Sequence, residues 1–126
     1  MLIMVVDDER DIQPLFEQRY RKEIRDGELS FRFAFSGDEA LAILRGAGGT
    51  DLVLILSDIN MPGMSGLDLL KEIRSLRPTL PVFMITAYDD REKYETAMAN
   101  GADDYIAKPI DFARLKEKIL AVRGHA

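Results

Sequence analysis

Four places in this chain carry groups that could act together chemically, and each lies where an apolar run ends. Asp7 and Asp8 follow Leu2 to Val6, and Asp58 comes just after Leu52 to Leu56. Thr86 closes the run from Val82, and Lys108 follows Tyr105-Ile106-Ala107. Three carboxylates, a hydroxyl and an ammonium are suited to holding a hard cation and to accepting a transferred group on oxygen. Taken singly, each has a plain structural reading. Asp7-Asp8 could be a solvated turn, Asp58 a loop-capping carboxylate, Thr86 a strand end, and Lys108-Pro109 a surface lysine before a rigid turn. Their joint position gives them a chemical meaning.

Little else in the chain could do chemistry. Among 126 residues there is no Cys, and the one His is His125, beside the C-terminus. Disulfides, thiol catalysis and thiolate metal sites are therefore excluded, and imidazole chemistry in a built site is not expected. Lys and Arg number 17 against 22 Asp and Glu, for a formal net charge of -5, with no basic block. Direct nucleic-acid binding therefore has no electrostatic footprint here. The longest apolar runs, Met1 to Val6 and Leu52 to Leu56, are far short of the ~20 residues of a membrane helix. The N-terminus meets Asp7-Asp8-Glu9 at once, unlike a secretory signal. A cytoplasmic protein without membrane contact is expected. Composition (47% hydrophobic, 31% charged) is that of one globular domain spanning residues 1–126. Such a domain buries about two-thirds of its unfolded surface.

The elements that must position these groups follow from hydrophobic period and turn signals. Leu2 to Val6 and Leu52 to Leu56 are continuous apolar runs, which predicts strands buried on both faces. Phe31, Phe33 and Phe35 alternate with Arg32 and Ala34 and predict a strand with one more polar face. Val82 to Thr86 and Tyr105 to Ala107 complete a set of five. Between them, helical spacing runs through Ile12, Leu15, Phe16, Tyr20 and Ile24, with Asp11 as its cap and Asp26-Gly27-Glu28 as its break. Ser36 with Glu39, and Ser65 with Asp68, resemble capping boxes opening further helices. Arg91 to Asn100, ended by Gly101, and Ile110 to Val122 are the last two helices. Strands alternating with helices imply a doubly wound α/β fold, a five-stranded parallel sheet with helices on both faces. Ligands of such sheets bind at the carboxyl ends of the strands, where the four places above fall.

Electrostatics narrows the chemistry. Two carboxylates about 4 Å apart repel by about 4 kcal/mol at an effective dielectric near 20. A divalent ion such as Mg2+, with Lys108, formally balances Asp7, Asp8 and Asp58. An acyl phosphate of about two charges in place of the Asp58 carboxylate leaves the cluster near minus one. The cluster is thus balanced to receive a phosphoryl group on Asp58.

The motifs Val5-Val6-Asp7-Asp8-Glu9, Ser57-Asp58-Ile59-Asn60-Met61-Pro62-Gly63-Met64-Ser65-Gly66, Ile85-Thr86-Ala87 and Gly101 to Pro109 resemble the receiver domain of two-component response regulators, in order and spacing over nearly the whole chain. That resemblance implies a flavodoxin-like sheet of strand order 2-1-3-4-5. It implies Asp58 as phosphoacceptor, fed by the phosphohistidine of a sensor histidine kinase or a histidine phosphotransfer protein. Asp7, Asp8 and Asp58, with the Asn60 backbone carbonyl, would be the Mg2+ ligands. Lys108, Thr86 and Ala87 would contact the phosphoryl oxygens, and the Lys108–Pro109 bond would be cis. Thr86 and Tyr105 would form a switch. Its output face would be the fourth helix, fifth strand and fifth helix (roughly Arg91 to Val122), facing a downstream output domain or protein, or a second copy in a homodimer. The resemblance implies signalling without substrate turnover.

Competing readings have less in their favour. An aspartyl-phosphate phosphatase of the haloacid-dehalogenase type needs a second Asp where Asn60 stands, and a cap domain that 126 residues cannot supply. A flavodoxin-like electron carrier needs a Gly- and hydroxyl-rich phosphate loop, which Asp7-Asp8-Glu9-Arg10 would repel. A pseudo-receiver acting as an interaction module would not need Asp7, Asp8, Asp58, Thr86 and Lys108 all intact. Two departures from the family pattern remain, the stretch Tyr20 to Ser30 and the residue Tyr88. Tyr20 to Ser30 lengthens the first helix and its loop. The C-terminal Arg123-Gly124-His125-Ala126 is where a linker would begin, so a stand-alone regulator and the first piece of a longer one are both expected forms.

Tyr88, two residues after Thr86, is expected with Asn60 to screen the acyl phosphate from attacking water. Tyr88→Ala should therefore shorten the phosphoryl half-life, followed by the decay of the phosphorylated mass; an unchanged half-life rejects the role.

Overall fold

The computed structural model describes residues 1–87 and 90–123. In chain order it has β1 (Leu2–Val6), α1 (Ile12–Arg19), α2 (Arg21–Arg25), β2 (Ser30–Ala34) and α3 (Gly37–Arg45). A 3-10 turn at Ala47–Gly49 leads to β3 (Leu52–Asp58), α4 (Gly66–Leu76) and β4 (Val82–Ala87). The chain ends with α5 (Arg91–Ala99), β5 (Asp104–Lys108) and α6 (Phe112–Arg123). All strand pairs are parallel and the order is β2-β1-β3-β4-β5, as expected. Among the described residues, no helix is long and apolar enough to cross a membrane.

The continuous apolar runs became the central strands, because helices cover both faces of the sheet. On one face Met4, Val6, Ile55, Val82 and Met84 pack with Ala40, Leu41 and Leu44 of α3, Leu69, Leu70 and Ile73 of α4, and Ala97 of α5. On the other, Ile3, Val5, Leu54, Leu56, Phe83 and Ile85 pack with Ile12 and Phe16 of α1 and Leu115 and Ile119 of α6. Parallel pairing fixes which ends align: Val6 lies beside Ser57, Asp58 beside Ile85, and Ala87 beside Lys108. The carboxyl ends of four strands thus meet along one edge.

The helix starts at Ser36 and Ser65 are as expected. Ser36 Oγ accepts from the Glu39 N–H at 3.1 Å, and Ser65 Oγ from the Asp68 N–H at 3.2 Å. Three expectations are corrected. Asp11 makes no side-chain cap bond, because its backbone is already helical (φ -65, ψ -14). The long first helix is two helices, divided where Tyr20 leaves helical geometry (φ -110, ψ 26) while its side chain is buried. The last helix starts at Phe112, two residues later than periodicity predicts, because the Asp111 carboxylate caps it by accepting from the Arg114 N–H at 3.1 Å.

Phe16 is the hub of the second face. It is fully buried and meets Tyr20, Phe31, Phe33 and Phe112 edge-on, with ring centroids 5.3 to 6.3 Å away. Edge-to-face pairs add to the burial of so large a side chain. Phe16→Ala should cost about 3–5 kcal/mol of folding free energy, read as a lower urea midpoint at unchanged slope. A loss under 1 kcal/mol would mean that the aromatic face repacks around the gap.

Candidate functional site

The strand ends bring three carboxylates together. Asp7 and Asp58 are buried and Asp8 is exposed, and one oxygen from each lies within 4.8 Å of the others. Lys108, reaching across from β5, sets its Nζ 3.3 Å from Asp7 Oδ2 and 3.4 Å from Asp58 Oδ2. One ammonium therefore opposes three carboxylates and leaves two negative charges uncompensated. Burial, and next the Asp7 charge, push the Asp58 carboxyl above its ordinary range; Lys108 and the Asn60 backbone N–H pull the other way. Burial alone would lower the Lys108 ammonium, but Asp58 and Asp7 outweigh it and hold the group above its usual value. Oxygen ligands in this number and with this charge suit a hard divalent cation.

Backbone geometry fixes each member. Asp7 Oδ1 accepts from the Glu9 N–H at 2.9 Å, and the Asp7 N–H donates to the Ala34 carbonyl at 3.0 Å. Asp58 is the last residue of β3, and the loop after it is closed by the Gly66 N–H donating to the Ile59 carbonyl at 2.8 Å. A Cβ at Gly66 would lie 2.0 Å from the Asp58 carbonyl oxygen, so only glycine lets α4 start this close to the acceptor. The Ser57 hydroxyl donates to that same carbonyl at 3.1 Å. Motif matching gave neither residue a reason; a glycine at the first position of a helix was the available signal for Gly66.

The remaining expected residues stand around this cluster. Thr86 is buried on β4, one residue past the partner of Asp58, and its Oγ1 has no hydrogen-bond partner among the described residues. A buried hydroxyl without a partner is costly, which makes Thr86 a ready donor to an arriving anion. Ala87 follows it at the end of β4, in register with Lys108, and its carbonyl accepts from the Tyr105 hydroxyl at 3.2 Å. The Tyr105 ring also meets Tyr94 edge-on, with centroids 4.7 Å apart. Asn60 lies two residues past Asp58, and its Oδ1 accepts from the Lys93 ammonium of α5, a contact that no spacing rule foretold. The Lys108–Pro109 peptide is cis. Tyr88 lies outside the described residues.

The family described as "Response regulator receiver domain" matches residues 3–120. Chemotaxis protein CheY-3 of Vibrio cholerae is 37% identical over 94% of this chain and 88% of its own length. The DNA-binding transcriptional regulator NtrC of Salmonella typhimurium is 41% identical over 87% of this chain but only 22% of its own length. The chain thus spans about a quarter or less of its longer curated relatives. Among solved structures, the receiver domain of NtrX from Brucella abortus superposes with a TM-score of 0.83 at 34% identity, covering 98% of this chain and 99% of that one.

The charge imbalance has a measurable consequence. In the absence of divalent cation the ionised Asp58 is held against burial and against Asp7, so the native state bears a cost that the unfolded chain does not. Asp58→Asn removes that charge and keeps the shape. It should stabilise the metal-free protein by about 1 kcal/mol or more, a rise in melting temperature of several degrees. Added Mg2+ should stabilise the wild type more than the variant. A variant that melts lower than wild type without metal would contradict this account of the site.

Proposed function

The chain belongs to the response regulator receiver domain family, and from that premise we propose that it is a phosphorylation-switched receiver that takes its phosphoryl group on Asp58. The observation that carries the reading is the pairing of a buried carboxylate and a facing lysine with the buried hydroxyl of Thr86 one strand over, which has no partner among the described residues. The donor is the phosphohistidine of a sensor histidine kinase or a histidine phosphotransfer protein. An Asp58 carboxylate oxygen attacks phosphorus and the new O–P bond forms as the P–N bond breaks. The electron pair passes to the imidazole nitrogen, which takes up a proton. Lys108 moves its charge from the free carboxylate to the phosphoryl oxygens, and the Thr86 hydroxyl and the Ala87 backbone N–H donate to them. Asp7, Asp8, Asp58 and the Asn60 backbone carbonyl are the residues to hold Mg2+, which would supply positive charge against the carboxylates and the phosphoryl group. The phosphoryl group stays on Asp58 as a signal until it is lost to water, and in this sense the domain is a switch and not an enzyme.

The switch follows from where the new donor–acceptor bonds lie. In the unphosphorylated state the Tyr105 hydroxyl bonds the Ala87 carbonyl next to Thr86. Inward movement of Thr86 toward the phosphoryl oxygens shifts the end of β4 and with it the seat of Tyr105. The surface of α5, β5 and α6 then differs between the two states and is the face for an output domain, an output protein or a second copy. Residues 1–126 act as one receiver domain in the cytoplasm, and neither membrane nor nucleic acid is its direct partner. The slow loss of the phosphoryl group is assigned to Asn60 and Tyr88, with Tyr88 taken from the sequence alone.

The test is incubation with Mg2+ and a small acyl-phosphate donor, followed by intact-mass measurement. Wild type should gain one phosphoryl group and Asp58→Asn none. Absence of the group in wild type, or its persistence in the variant, would sink the reading.

A further inference from the structure

Lys108 is the only cation that touches both buried carboxylates among the described residues, and β5, which carries it, lies at the sheet edge with a partner strand on one side only. After Lys108, which pairs with Ala87 as the last residue of β5, the chain leaves the sheet, Ile110 packs on the second core, and α6 begins at Phe112. Only three residues separate Lys108 from Phe112, so with β4 holding one side of Lys108 the anchor of Phe112 sets the course of the chain that leaves it. That anchor lies on α1 and α2. The Tyr20 hydroxyl donates to the Phe112 carbonyl at 2.7 Å, although the two residues are 92 positions apart. Phe112's ring meets Phe16 and Tyr20 edge-on at 5.3 and 5.6 Å, and the Arg19 guanidinium covers it at 5.4 Å. One helical turn further along α6, the Lys116 ammonium pairs with the Glu23 carboxylate of α2 at 2.8 Å.

We propose that Tyr20, supported by Glu23, is a positioning residue for Lys108: it fixes the start of α6 and thereby holds the lysine between Asp7 and Asp58. The break between α1 and α2 at Tyr20 serves this arrangement. There the chain departs from helical geometry so that the buried ring enters the aromatic group and the hydroxyl reaches α6. Glu23, in the short second helix, then meets Lys116 on the same face as the Phe112 contact, since residues four apart in a helix share a face. Two bonds one turn apart fix both the position of the α6 start and its rotation, where a single bond would leave it free to pivot. Burial raises the Tyr20 hydroxyl far above its usual range, and the Lys116 hydrogen bond lowers the Glu23 carboxyl. Both groups therefore keep the protonation state their bonds require at neutral pH. An ångström of misplacement in a group that contacts a transferring phosphoryl is enough to slow the reaction severely.

The inference rests on the acceptor reading above, and the experiment separates the two. In the full chain, Tyr20→Phe removes the hydroxyl and leaves the ring in its aromatic surroundings. With Mg2+ and a small acyl-phosphate donor, it should slow phosphoryl uptake roughly threefold to tenfold. The same substitution in a Lys108→Ala background should slow uptake no further, although both proteins lose the same thermal stability. Equal slowing in both backgrounds, or none in the first, overturns the proposal, since a merely structural tyrosine behaves that way. A second readout needs no phosphoryl group. In the metal-free protein, Tyr20→Phe should move or broaden the Lys108 side-chain ammonium signal in nuclear magnetic resonance and leave that of Lys71, on α4, in place. An unchanged Lys108 signal overturns the proposal whatever the rates. Should the wild type take up no phosphoryl group at all, the acceptor reading fails while this signal still decides on Tyr20.

Discussion

Everything in this molecule is arranged around two buried carboxylates that share one ammonium. Asp7 and Asp58 would each be easier to keep in water. Placed side by side at low exposure, they repel each other and push the Asp58 carboxyl upward. Lys108 offsets part of that, and the exposed Asp8 adds to the negative charge at the mouth. The result is a site poised for more positive charge, and then for a group that carries its own negative oxygens away from the carboxylate. The imbalance is what makes the edge attractive to cations, so the fold's task is to hold like charges together against their repulsion.

The fold does so with parallel pairing and two unlike faces. The register of β1, β3, β4 and β5 brings Asp7, Asp58, Thr86 and Lys108 to neighbouring strand ends without any one loop having to carry them all. On the first face the loop after Asp58 is drawn tight by Gly66, where even one methyl group would strike the Asp58 carbonyl. On the second face the loop after Lys108 is tied through Phe112 to the aromatic group around Phe16. The acid and its counter-cation are thus secured by separate cores, one on each side of the sheet.

The strand ends were legible in the sequence because chemistry and periodicity coincide there. The runs Leu2 to Val6 and Leu52 to Leu56 are apolar without interruption, which only a strand covered on both faces requires, and Asp7 and Asp58 mark where that cover ends. The Ser36 and Ser65 caps were legible because a side-chain acceptor three residues before an N–H is a local feature. The division of the first helix was not. Tyr20 and Ile24 keep helical spacing, and the bond of the Tyr20 hydroxyl to a carbonyl 92 residues away has no local trace. Lys93 escaped for the same reason, since its partner Asn60 is 33 positions distant. Gly66 was visible as a letter in a motif, but its reason, the nearness of the Asp58 carbonyl, is a distance.

The two anchors also differ in how much they can yield, and that difference sets the direction of a conformational change. The Asp58 loop is pinned by backbone contact at Gly66, which has no slack. Tyr105, near the start of β5, by contrast donates its hydroxyl to the carbonyl of Ala87 at the end of β4 at 3.2 Å, and the neighbouring Thr86 hydroxyl has no hydrogen-bond partner among the described residues. On the proposed function, an anion at Asp58 meets backbone that cannot yield at Gly66, but it can draw the Thr86 hydroxyl, which has no bond to lose among the described residues. The response is therefore directed toward the end of β4 and the Tyr105 side chain, while the start of α6 stays tied to the aromatic face through Phe112. On that reading, an acid and a cation that are both held leave the Thr86 hydroxyl, partnerless among the described residues, as the group that moves, and a local change of charge becomes displacement along one side of the sheet only.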